Sequence, residues 1–190
     1  MHSLIMGRTS TEAISAFNIT GTISQITWVF FIGVGNAAGI IIGKKIGEGN
    51  ETEARKYANT LSWFMPVMAI FIGLLLIPIS KFLPFMFNVE ANILVQAKMM
   101  LMILMCCYPL NAFNMCWVVG ICRAGGDTVF AAIIDVCFMW IIAIPLAACV
   151  AYFTNVQPFI YICLLSEQIF KAIVGFYRIK SGKWLHNVVE

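Results

Sequence analysis

Apolar residues run along the chain in five long stretches, each closed by a short polar segment rich in Lys, Arg, Gly or Asn. The stretches cover residues 15–42, 57–82, 91–120, 129–152 and 158–177. A helix needs about 20 apolar residues to cross a bilayer core of roughly 30 Å. Each stretch is long enough, so the pattern predicts an all-α fold: a polytopic transmembrane helix bundle of five spans, with residues 178–190 as a tail. Prolines at 66, 78, 109 and 145 fall inside the spans, where each removes a backbone hydrogen bond and predicts a kink.

Composition agrees with the pattern. Hydrophobic residues make up 61% and charged residues 11%, where a soluble domain carries about 25% charged. The mean hydropathy is +0.90. The lipid bilayer is therefore the first partner. A net charge of +3, spread over several loops, gives no basic face for nucleic acid. Met1 to Arg8 lacks the basic start, short apolar core and cleavage site of a signal peptide.

The basic residues sort by side. Lys44, Lys45, Arg55, Lys56, Arg123, Arg178, Lys180 and Lys183 fall on one side of the spans, and Arg8 and Lys81 on the other, joined by Lys98 if it snorkels outward from the start of its span. The richer side is expected to be cytoplasmic, which places the N-terminus outside and calls for a further helix upstream. The tail, with its basic residues and Trp184, is expected to lie on or near the membrane surface.

Cys106, Cys107, Cys116, Cys122, Cys137, Cys149 and Cys163 lie in or beside apolar stretches with no CxxC pair. They read as small hydrophobes packed between helices, not as a disulfide framework or a zinc site. His2 and His186 lie outside the spans, no HExxH occurs, and Ser166 has no histidine near it to act as base. The glycines of GKKIGEGN do not make a phosphate-cradling loop. No enzyme is expected, and no cofactor.

The polar residues inside the spans are the candidates for chemistry, because a charge at the bilayer centre costs about 2.5–3.5 kcal/mol. Asp135 has two roles open: pairing with a lysine or backbone group, or binding a cation or proton in transport. Glu167 and Lys171 stand four apart, which predicts a mutually neutralising pair on one helix face. Gln25, Asn36, Asn111 and Asn114 can bond across helices or offer carbonyl oxygens to a desolvated cation. Gly35 and Gly39 make a small-xxx-small groove for a neighbouring helix. Residues 43–56 are expected to form a polar loop. Arg123, Gly125, Gly126 and Asp127 of RAGGDT predict a tight turn, with both glycines free to take positive φ.

Three segments, in order, carry a resemblance: GVGNAAGIIIGKKIGEGNETEAR, RAGGDT and SEQIFKAIVGFYRIKSGKW. Each resembles a segment of the multidrug and toxic compound extrusion (MATE) family. That resemblance implies twelve helices in two lobes, with the present spans similar to helices eight to twelve and the N-terminal lobe as missing partner. It implies secondary active multidrug or xenobiotic efflux at the cell membrane, by antiport of cationic or amphipathic compounds against Na+ or H+. Some members carry an acidic residue in the tenth helix for coupling; the matching stretch, 108–122, has none. A lipid-linked oligosaccharide flippase of the same superfamily and a non-transporting membrane fragment are the alternatives. A flippase is expected to hold several deep basic residues, and only Lys98 and Lys171 come near that requirement.

Overall fold

A computed structural model describes residues 11–86, 90–153 and 157–186, with side chains over 14–78, 90–153 and 158–186. Arg8, His2 and the side chain of Lys81 lie outside the described residues. Every element among the described residues is helical. α1 (Thr11–Gly47) and α2 (Glu51–Met86) each make one span, and α3 (Ala91–Met115) continues into a π-helical segment, Cys116–Cys122. The fourth span joins α4 (Thr128–Phe138), a π-helical turn (Met139–Ala143) and α5 (Ile144–Phe153). The fifth joins α6 (Gln157–Leu165) and α7 (Glu167–Ser181). All five are long and apolar enough to cross a membrane, so the chain is an all-α polytopic bundle.

The wide turns have local causes. Pro145 lacks an N–H, and its ring crowds the carbonyl four residues back; the π-helical turn lies over that position. Cys116–Cys122 widens where α1 comes closest. A methyl placed on Gly120 would stand 3.0 Å from the Gly35 carbonyl oxygen and 3.3 Å from the Ala38 methyl. The Gly35/Gly39 groove of α1 therefore receives the backbone of the third span at Gly120. With lipid as apolar as leucine, such close backbone approach supplies the packing energy.

The third span is the centre of the bundle. α3 packs against α1, α2, α6 and α7. Thr20 donates to the Ala97 carbonyl at 3.3 Å, the Tyr108 hydroxyl to Thr27 Oγ1 at 3.3 Å, and Phe31 meets the Tyr108 ring edge-on. Cys116 and Cys122 are buried here, whereas Cys106 and Cys149 are exposed on their helices. The packing role expected of the cysteines therefore does not hold for those two.

Two further expectations change at the loops. The polar segment 43–56 is almost wholly helical, and α1 and α2 are interrupted only at Glu48–Asn50. Lys44 and Lys45 lie in the last turn of α1, and Glu51 and Glu53 in the first turn of α2, where each charge opposes the helix dipole. Gly49, at φ 73°, reverses the chain, and Asn50 Oδ1 accepts from the Glu53 N–H at 3.2 Å as a cap. Hydrogen bonding from Lys45 holds the Glu48 carboxyl below its ordinary range. Composition identified polar residues there, but the helix-forming Lys, Glu, Ala and Arg keep the backbone coiled.

The tail is the second change. Trp184 is fully buried in the protein and is not a membrane-surface anchor. Gly182, at φ 67°, ends α7, and the chain turns back so that the His186 N–H donates to the Gly125 carbonyl at 2.9 Å. A side chain at Gly125 would collide with Trp184. Of the two RAGGDT glycines only Gly126, at φ 80°, takes positive φ; Gly125 is needed for space. A tryptophan placed against a backbone with no Cβ loses more water-accessible apolar area than it would at an interface.

Candidate functional site

Four of the predicted polar residues meet between the third, fourth and fifth spans. Lys171 on α7 bridges two carboxylates: Asp135 Oδ1 of α4 at 2.6 Å and Glu167 Oε1, one turn back on its own helix, at 3.1 Å. The Gln168 amide donates to Glu167 Oε1 at 3.4 Å. Asn114 Nδ2 of α3 donates to Gln168 Oε1 at 2.7 Å and to the Gln168 carbonyl at 2.9 Å. The Trp117 indole N–H closes the chain by donating to Asn114 Oδ1 at 3.0 Å. The result is one polar line across three spans, from a buried indole to a carboxylate that keeps 57% of its exposure.

The local sequence explains the line. Glu167, Lys171 and Gly175 recur every four residues, so they stack on one face of α7. Gly175 lies against the Trp117 indole and has no room for a methyl group. α7 begins after Ser166, whose hydroxyl donates to the Cys163 carbonyl at 2.7 Å. That break between α6 and α7 sets Glu167 at the head of a new helix. Lys171 and Glu167 keep 6% and 8% of their side-chain exposure. The cluster holds two carboxyl groups to one amine, and Glu167 Oε2 is buried without a hydrogen bond.

A second charged group lies at the basic end of the bundle, two helical turns away on α7. Arg178 Nε donates to Asp127 Oδ2 at 2.7 Å, and the guanidinium stands 4.2 Å over the Phe130 ring. His186 Nε2 lies 3.6 Å from Asp127 Oδ1. Asp127 thus takes its cation, Arg178, from the fifth span. The fourth and fifth spans are joined by two ion pairs, 127–178 and 135–171, like rungs.

The other predicted residues stand apart. Gln25 is exposed on α1. Asn36 is exposed beside a hollow that it lines with Gly39, Val119 and Arg123. Asn111 is buried on α3, one turn before Asn114. On the opposite face of α7 from Lys171 is an apolar cleft of about 480 Å³, lined by Trp63, Pro66, Pro109, Phe113, Ile173 and Tyr177 among others. Sequence reading missed Gln168, Trp117, Arg178 and Trp184 as parts of these groups. Two of them carried a signal: Gln168 adjoins Glu167, and Trp117 follows Asn114 by three, the spacing of helix neighbours.

Residues 1–149 match the model of the MatE family. That stretch contains Asn114, Trp117, Asp127 and Asp135. The fifth span, with Glu167 and Lys171, lies beyond it. No curated protein matches the chain.

Proposed function

The chain belongs to the MatE family, a transporter family, and from this premise we propose that it forms part of one lobe of a cation-coupled exporter. In this reading the five spans correspond to helices eight to twelve of a twelve-helix protein, and the N-terminal lobe is the partner required for transport. Cationic or amphipathic compounds leave the cell by antiport against Na+ or H+, across the bacterial cytoplasmic membrane. Rocking of the two lobes around a site between them moves the cargo.

The observation that carries this reading is the trio Asp135, Lys171 and Glu167, held within the spans with one carboxylate in excess of its ammonium. Ionisable groups within apolar spans are rare without a pathway or a partner. Here they have a partner, and the carboxyl groups outnumber the amine two to one. The aromatic cleft on the other face of α7 suits an apolar or amphipathic cargo. Lys171 is taken up by two acids, which leaves it unfit for a pyrophosphate and weighs against a flippase.

Ethidium efflux from cells, with sodium and proton gradients imposed separately, tests the proposal. The transporter containing these spans is expected to export dye when one gradient is supplied, and the 190-residue chain alone to export none. Efflux indifferent to both gradients would refute it.

A further inference from the structure

Lys171 is shared between two carboxylates of opposite character. Asp135 belongs to another helix and keeps 57% of its side-chain exposure with the ammonium at 2.6 Å. Glu167 belongs to Lys171's own helix and keeps 8%. The first partner is lost whenever α4 shifts or another cation reaches Asp135. The second cannot leave, because residues four apart stay adjacent on any intact helix. Glu167 also has a spare acceptor, Oε2, buried and without a hydrogen bond. An ammonium released by Asp135 therefore has a second carboxylate oxygen within its own helical turn.

α4 is also the cheapest element to shift. Only 11% of the fourth span's most apolar window is buried, against 22–33% in the other spans. Ala131 is the one fully buried residue of α4 among the described residues. Its attachments to the fifth span include the two ion pairs, Arg178 over the Phe130 ring and Phe138 stacked on Phe170 at 6.2 Å.

We infer that Asp135 is an exchangeable cation site, that Lys171 is its internal occupant, and that Glu167 retains the lysine while a monovalent or organic cation binds Asp135. Counted at formal charges, two carboxylates and one ammonium sum to −1, and an added cation brings that count to zero. The lysine never stands alone in the low-dielectric interior, where an unpaired ammonium is costly. The inference rests on the coupling role proposed above and adds how the site is held between cargoes.

The test is binding of sodium, and separately of tetraphenylphosphonium, to the purified chain in detergent, measured by equilibrium dialysis. The double variant Glu167→Gln/Lys171→Met removes the buried pair as a unit, which avoids an orphan charge and leaves Asp135 without its occupant. It is expected to bind at least one of the two cations about tenfold tighter than wild type. That gain should vanish when Asp135→Asn is added. The single variant Glu167→Gln, which deprives Lys171 of its second partner, should bind about threefold more weakly than wild type. Unchanged or weaker binding by the double variant, with native helix content by circular dichroism, overturns the inference. So does a gain that survives Asp135→Asn. If the double variant loses helix content, Glu167→Gln decides, and binding as tight as wild type overturns the inference. Efflux by the transporter is read independently, so a failure here leaves the preceding proposal standing on its own test.

Discussion

The third and fourth spans are both apolar helices, yet they are held in opposite ways. The fourth is the more hydrophobic, with a mean hydropathy of 2.5 over its best window against 1.8, but only 11% of that window is buried against 33%. The fully buried residues of the third span include Trp117, Tyr108, Met100 and Leu101; those of the fourth are Ala131, Ala143 and Ala147. Shape holds the third span: bulky side chains fill space, and Gly120 lets α1 approach. Charge holds the fourth, through Asp127–Arg178 and Asp135–Lys171. Hydropathy is no guide to which helix is central, because lipid accepts an apolar face as readily as protein does. In this bundle polar and small residues decide the arrangement.

The sharpest way to break the contrast is one substitution made in both spans. Trp117→Ala empties a fully buried site and removes the indole bond to Asn114, so it should destabilise the detergent-solubilised chain by about 4 kcal/mol. Trp140, half exposed on the fourth span, should cost less than about 1 kcal/mol on the same change. Thermal unfolding of the two variants side by side measures the difference. Equal losses would mean that the fourth span is packed like the third.

Gly120→Leu comes next. Its side chain must displace the Gly35 carbonyl and the Ala38 methyl, at a cost of about 3 kcal/mol. The melting point should fall without loss of membrane insertion, which depends on hydropathy and not on helix contact. Asp127→Asn is smaller, about 2 kcal/mol, because it removes a charge-assisted bond to Arg178 at a buried carboxylate. The smallest effect on stability belongs to Asp135→Asn, below about 1 kcal/mol, since that carboxylate is more than half exposed. The same substitution should lower gradient-driven ethidium efflux about tenfold or more, measured with membrane levels matched. Full efflux would remove Asp135 from the mechanism.

The bundle itself was legible because its signal is one-dimensional: length of apolar run against bilayer thickness. The five spans and the four-apart spacing of Glu167 and Lys171 needed no tertiary information. What joins Asp135 to Lys171 did need it, since the two are 36 positions apart and the helix rotation that makes them face each other is set by packing. Trp184 misled for a related reason. Tryptophan beside lysine suits a membrane surface equally well as a buried strap, and only the missing Cβ at Gly125 decides between them. Between α1 and α2, polar composition predicted a loop, while the helix propensity of the same residues set the real break at Glu48–Asn50.

The claim that the two ion pairs are the main tether of the fourth span to the fifth is tested most directly by distances between spin labels in the purified chain, on a background with its native cysteines replaced. One label pair, at Ile133 and Ile173, spans the fourth and fifth helices; the other, at Met102 and Ile173, spans the third and fifth, and all three sites are about half exposed. With Asp127 and Asp135 both changed to Asn, the first distance distribution should broaden and lengthen while the second stays narrow. An unchanged first distribution would contradict the claim.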